Sequence, residues 1–127
     1  MENRYLFRGK TIRGDWVRGL LASKDNKWYI GNKVGRPLAF EIRPESICQC
    51  TGLKDKNDKL IFENDIMEAH IDEDFPEDVS RFKVEWNGKG WVENHPDGVD
   101  REYLDDFDTE HFKVVGNIFD NPELLEV

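Results

Sequence analysis

Short runs of aromatic and branched side chains, separated by turn-forming residues, make up most of the first sixty positions. This spacing, with Gly, Asp and Asn between the runs, is typical of an antiparallel meander or barrel. The predicted strands are residues 4–8, 16–21, 28–30 and 38–42. The polar segment 54–59 follows, between Leu53 and Leu60, and it predicts a solvated hairpin tip.

The second half of the chain contains a clear hairpin pattern. Phe82, Val84 and Trp86 alternate, and Asn87-Gly88 can then reverse the chain because both residues tolerate a positive φ. Trp91 would begin the return strand, so the two tryptophans are expected near the hairpin end. Two further strands are predicted, at 66–71 and at 112–119, the second with a bulge at Gly116.

Two short helices are predicted near the C-terminal end of the chain. Val99, Tyr103 and Phe107 recur every four residues, which is helical spacing. Asn121 and Pro122 suit the N-cap and first position of a second helix. With no repeat or linker, the sequence predicts a single domain, 1–127, that is mainly β, an antiparallel barrel or sandwich-like fold with one or two short helices.

Composition supports a globular, intracellular protein. Of the 127 residues, 38% are hydrophobic and 12% aromatic, which favours a packed core although 35% are charged. No apolar run reaches the roughly 20 residues needed to span a bilayer, and the first residues lack the apolar stretch of a secretory signal. We therefore expect a cytoplasmic protein with no membrane partner.

Charge is distributed unevenly along the acidic chain. Residues 1–60 hold 13 Lys/Arg against 7 Asp/Glu, and residues 61–127 hold 5 against 20, which gives +6 and −15 within a net charge of −9. The net charge argues against general coating of nucleic acid, which depends on clustered cations. The asymmetry allows head-to-tail association, or the approach of an anion to the first half; chance placement on a solvated surface is the alternative.

Three motifs follow one another between Ile42 and Ile66: Pro44-Glu45, then Gln49-Cys50-Thr51-Gly52-Leu53-Lys54-Asp55, then Glu63-Asn64-Asp65-Ile66. Together they resemble the signature of the YopX family of phage and prophage proteins. Phe7-Arg8-Gly9 with Trp16 and Gly19, Val84 with Trp86, and the stretch 115–125 agree in order with the family's beginning, middle and end. The resemblance implies a β-rich fold and carries no assigned activity, catalytic residue or cofactor.

The signature is interpreted as structural. Thr51-Gly52 would bend the backbone, Leu53, Ile61 and Ile66 would enter the core, and Asp65 would cap a turn. Asp58 and Asn64 stand where the family often has glycine, and both residue types adopt left-handed backbone angles. The same turns are therefore expected.

Two kinds of metal site are weighed and neither is predicted. Cys48 and Cys50 share one face of a strand, and the histidines, His70, His95 and His111, would have to complete a zinc site, yet only one tight ligand pair exists. Buried thiols are expected instead. The acidic clusters 72–78 and 105–111, with Asp72, Asp74, Asp78, Asp105, Asp106, Asp108 and His111, match no ordered calcium loop and are expected to be solvated.

Other chemistry has less support. The serines, Ser23, Ser46 and Ser80, lie in no nucleophile elbow, and no phosphate-binding glycine loop is present. Rings and cations interleave in the first half as they do in single-strand-binding barrels, although strand alternation would turn half of them inward. These residues are Tyr5, Phe7, Arg8, Lys10, Arg13, Trp16, Arg18, Lys24, Lys27, Trp28 and Tyr29.

We therefore expect a phage or prophage accessory protein that binds a protein partner or itself as a homo-oligomer, and more a binding module than an enzyme. No catalytic, cofactor-binding or metal-binding residue is predicted, and no cofactor. Three alternatives stay open: a single-stranded nucleic-acid-binding β-barrel, a metal-dependent nuclease-like enzyme, and an acidic mimic of DNA.

Overall fold

Antiparallel strands dominate the computed structural model, which describes residues 5–31, 39–70, 74–75, 79–96 and 102–126. Its contacts separate into two compact units, Met1–Gly52 and Leu53–Val127. The expectation of one domain over 1–127 stays a prediction, because this division does not test whether either unit folds alone. No helix among the described residues has the length and apolar character needed to cross a membrane.

The first unit is built on one antiparallel sheet with the strand order β4-β3-β2-β1-β5. Its strands are β1 (Phe7–Lys10), β2 (Trp16–Lys24), β3 (Lys27–Gly31), β4 (Ala39–Ile42) and β5 (Cys48–Lys54), with a 3-10 turn at Pro44–Ser46. A two-residue turn joins β2 to β3, and its residues Asp25 and Asn26 have φ of 54° and 64°. This geometry matches the twist of the flanking strands, so the predicted turn is confirmed.

This sheet curls so that the ends of β1 and β4 meet. Thr11 forms an isolated bridge with Ile42, and the N–H of Arg43 donates to the carbonyl of Lys10 at 2.8 Å. Two glycines make the approach possible. A Cβ on Gly9 would overlap the Ile42 side chain, and one on Gly19 would overlap the backbone carbonyl of Gly31. The family positions Gly9 and Gly19 therefore allow close backbone packing.

The second unit holds an antiparallel sheet of order β10-β7-β8-β9. β5 ends in this unit and is joined by a turn to β6 (Leu60–Phe62). The remaining elements are β7 (Asp65–His70), β8 (Val79–Trp86), β9 (Trp91–Asn94), the helix α1 (Asp106–His111), β10 (Lys113–Asn117) and a 3-10 turn at Pro122–Leu125. The prediction of a mainly β, antiparallel fold with short helices is confirmed, and neither sheet closes into a barrel among the described strands.

One apolar cluster forms the core of the second unit. Its buried members are Ile61, Met67, Ala69, Phe82, Val84 and Phe112, and Trp91, Leu104 and Val114 pack against them. The predicted tryptophan hairpin is confirmed, because Trp86 pairs with Trp91 and their rings meet edge to face at 5.0 Å. The predicted bulge is present too, as a register shift between Val114 and Gly116.

Two predictions, one about a helix boundary and one about a core position, were wrong. The helix expected from Tyr103 and Phe107 begins later, because Asp105 and Asp108 form a capping box, and Tyr103 bridges to Val92 outside the helix. Val99 lies outside the described residues. Leu53 was expected in the core but is 38% exposed. Gly52 has a φ of 83°, which breaks the strand alternation just before it.

Candidate binding surface

The polar residues of the family signature are used to build turns. Asp55 is buried, and its Oδ1 accepts from the N–H groups of Asn57 at 2.8 Å and Lys59 at 2.9 Å. Its Oδ2 accepts from the N–H of Val114 at 2.8 Å, which ties the β5–β6 turn to β10. Asp65 Oδ2 accepts from the N–H of Phe62 at 2.8 Å, as expected of a turn cap.

The two departures from glycine keep the backbone that glycine would give. Asp58 has a φ of 65° and Asn64 a φ of 69°, both in the left-handed region. Ile61 and Ile66 are fully buried, so two of the three predicted core positions are confirmed. The structural interpretation of the signature therefore holds at these positions, and these side chains are committed to the fold.

In the stretch 115–125, which resembles the family's end, the side chains of two asparagines accept hydrogen bonds from the backbone. Asn117 Oδ1 accepts from the N–H groups of Phe119 at 3.0 Å and Asp120 at 2.9 Å. Asn121 stands at the N-cap of the 3-10 turn, as predicted, but its side chain accepts from Asn117 N–H at 3.3 Å and makes no cap bond. A Cβ on Gly116 would overlap the Asn121 amide, so glycine is required beside it.

The cysteines and the histidines belong to different units. Cys48 and Cys50 are buried thiols of the first unit, and His70, His95 and His111 belong to the second. The Nδ1–H of His111 donates to the Phe107 carbonyl at 2.9 Å, and the His111 ring stacks on the Phe107 ring. Within the described part of the chain, no three His, Cys, Asp or Glu side chains are grouped so that they could hold a metal ion.

The structure describes only part of the first acidic cluster and all of the second. Asp72 and Asp78 lie outside the described residues, and Asp74 is described. In the second cluster, Asp105 and Asp108 accept N–H groups at the start of α1, at 3.0 and 3.2 Å. The expectation that this cluster is solvated is wrong at Asp108, which is buried. Ser46 is also structural, since its Oγ accepts from the N–H of Lys10 and donates to the carbonyl of Arg43.

A buried acid–histidine network lies in the second unit and was not anticipated from the sequence. His95 Nε2 is 2.8 Å from Glu93 Oε1, and a side-chain hydrogen bond joins Glu93 to Asp108. Burial, followed by the bond and the charge of Glu93, raises the pKa of Asp108 to about 7. The pair therefore shares a proton near neutral pH, and α1 is linked to β9 through it.

A pocket of about 350 Å³ opens beside this network. It is lined by Val79, Ser80, Arg81, His95, Pro96, Leu124 and Glu126. Arg81 is already paired with Glu68 at 3.1 Å, and His95 with Glu93. Arg81 and His95 are thus engaged by carboxylates outside the lining, which makes the pocket a weak candidate for ligand capture.

Strand register sorts the interleaved rings and cations onto two faces of the first sheet. Arg8 pairs with Arg18, and Lys10 with Trp16, so these side chains share a face. The alternation continues along β2 and β3 and adds Lys24, Lys27 and Tyr29 to that face, whereas Phe7 and Trp28 lie on the other. Arg8 and Lys10 both lie over the Trp16 ring, at 4.9 and 5.5 Å from its centroid.

A larger cleft of about 580 Å³ lies between the turn after β1, the start of β2 and β4. Its lining residues are Thr11, Ile12, Arg13, Asp15, Val17, Ala39, Phe40 and Glu41. Ile12 is 56% exposed and Phe40 44%, so apolar surface is open to solvent here. The Arg43 guanidinium donates to the Ile12 carbonyl at 2.9 Å and holds the turn in place. We call these eight residues the β4 cleft.

Fold and surfaces together define a small, mainly β protein whose signature residues build turns and whose first unit presents an open apolar cleft. A family model described as YopX protein matches residues 10–126. The chain therefore belongs to the YopX family, and the match spans both units. No curated protein matches the chain at a significant level.

Proposed function

We propose that this YopX-family chain is a phage or prophage accessory protein that acts by binding protein, and that it self-associates through regions of opposite charge. The charge division between the units carries the proposal. Residues 1–52 hold 10 Lys/Arg against 5 Asp/Glu, and residues 53–127 hold 8 against 22, which gives +5 and −14. A head-to-tail arrangement of two copies brings these charges together.

Local structure supports a binding role over a catalytic one. The register places cations from β1, β2 and β3 on one face, so the positive charge of the first unit is concentrated there. Asp55 and Asp65 of the family signature accept hydrogen bonds from backbone N–H groups, which supports a structural role for both carboxylates. The β4 cleft adds exposed apolar surface, and such surface beside charge is typical of protein interfaces.

Salt should control the association. Contacts between exposed charges act over about 30 Å at 0.01 M salt and about 3 Å at 1 M. Sedimentation velocity is therefore expected to show dimers or larger species at the lower salt concentration and a shift toward monomer at the higher one. A monomer under both conditions, together with no partner recovered by pull-down, would defeat the proposal.

Single-stranded nucleic acid is the second candidate, because the register does gather Arg18, Lys24 and Lys27 with Tyr29 on one face. Two observations count against it: the net charge is −9, and two cations already cover the Trp16 ring. Anisotropy with labelled single strands decides the question. If this face binds, Arg18→Glu weakens binding severalfold and lowers the salt dependence, with Asp25→Asn in the β2–β3 turn as control.

A further inference from the structure

The β4 cleft combines an apolar floor with a charged rim. Ile12, Val17 and Phe40 supply apolar surface, and Arg13 stands among them. Of the two acidic residues in the lining, Glu41 is 3.9 Å from Lys27 and is partly neutralised by it. With Lys27 beside Glu41 and Arg43 on the Ile12 carbonyl, the cleft and its rim hold three cations against two carboxylates, so the cleft favours an apolar group that is flanked by carboxylates.

The chain itself contains a segment of that chemistry. Residues 72–78 read Asp-Glu-Asp-Phe-Pro-Glu-Asp, with five carboxylates around one aromatic residue. Phe75 is 52% exposed, and it belongs to the acidic unit. An exposed aromatic side chain of this kind is a typical anchor of a protein interface.

We propose that Phe75 of one copy enters the β4 cleft of a second copy, with Asp74 facing the basic unit of that copy. This inference rests on the proposed self-association and names the surfaces that meet. The ring would pack against Ile12, Val17 and Phe40, and Asp74 would lie near Arg13. Such a contact is heterologous, so it extends to rings or chains of copies unless it closes.

Two substitutions test the anchor. Phe75→Ser removes the ring, and Phe107→Ser is its matched control, because Phe107 is 51% exposed and is also flanked by carboxylates. Sedimentation equilibrium at about 0.01 M salt is expected to show self-association at least tenfold weaker for Phe75→Ser, and unchanged for Phe107→Ser. Equal loss in both variants, or in neither, overturns the inference.

A charge exchange tests the partner surface. Arg13→Glu and Asp74→Lys are each expected to weaken association about two- to fivefold, and a mixture of the two variants should recover it. A synthetic peptide of residues 70–80 is expected to shift the NMR signals of Ile12, Val17 and Phe40, while its Phe75→Ser form does not. Shifts elsewhere overturn the inference.

The outcomes separate this inference from the proposed function. If the wild-type protein associates in a salt-dependent way but Phe75→Ser associates equally well, the binding role stands and this docking mode is wrong. If the wild-type protein is monomeric at every salt concentration, both the self-association and its docking mode are wrong.

Discussion

Replacing Gly19 by alanine is expected to cost about 3 kcal/mol or more of unfolding free energy, a large fraction of the total stability of a typical domain. A Cβ at this position would overlap the Gly31 carbonyl oxygen and press against the Ile30 side chain. Gly31 pairs with Leu20 in the β2–β3 ladder, so its carbonyl cannot move without breaking that pairing.

Urea unfolding followed by tryptophan fluorescence measures this loss. Gly88→Ala is the control: it has open space around the added Cβ but a φ of 92°, so it reports the cost of backbone strain alone. We expect about 1–2 kcal/mol for Gly88→Ala, well below the Gly19 effect. A Gly19→Ala protein as stable as the Gly88→Ala protein would contradict the close packing of β2 against β3.

Replacing Asp108 by asparagine is expected to stabilise the protein at pH 8 by about 1–3 kcal/mol and to have almost no effect near pH 4. The folded-state pKa of Asp108, about 7, lies above its ordinary value of 3.8. Between these values the folded chain holds a proton that the unfolded chain has lost, so stability falls as pH rises from about 4 to about 7. An isolated group would lose about 4 kcal/mol; sharing with Glu93 reduces this.

Asparagine reproduces the protonated carboxyl in its contacts. Its amide can donate to Glu93, and its oxygen can accept from the N–H of Asp105, as Asp108 Oδ2 does at 3.2 Å. The control Asp106→Asn removes a charge two residues earlier, from an exposed side chain in the first turn of α1. It should lower stability slightly. Urea titrations at pH 4, 6 and 8 compare the three proteins. If the Asp108→Asn protein is no more stable than the wild-type protein at pH 8, then Asp108 and Glu93 do not share a proton.

Local chemistry made much of the fold predictable. Asp58 and Asn64 were expected to adopt left-handed angles in place of glycine, and both do. The tryptophan hairpin followed from alternation and an Asn-Gly turn, and both signals act over a few residues. Where a feature depends on neighbouring residues alone, the residue types were sufficient.

The features that escaped prediction depend on distant parts of the chain. Val92 and Glu93 are consecutive in β9 and both are buried, which strand alternation does not allow for an open edge. The segment around Glu102 and Tyr103 pairs along β9 and covers that edge, so Glu93 meets Asp108 away from water. The β4 cleft likewise depends on how far the sheet curls, which the glycines permit but do not specify.

The strand order of the first unit determines how much chain entropy is lost when each strand pairs. The connections between β1, β2, β3 and β4 are only two to seven residues long, whereas the ladder between Phe7 and Gln49 joins positions about forty residues apart. The entropic cost of closing a loop grows with the logarithm of that separation. Pairing β5 with β1 therefore loses more chain entropy than any other strand pairing described in this unit. The unit is thus a locally encoded four-strand meander completed by one remote strand, and that strand carries the buried thiols of Cys48 and Cys50.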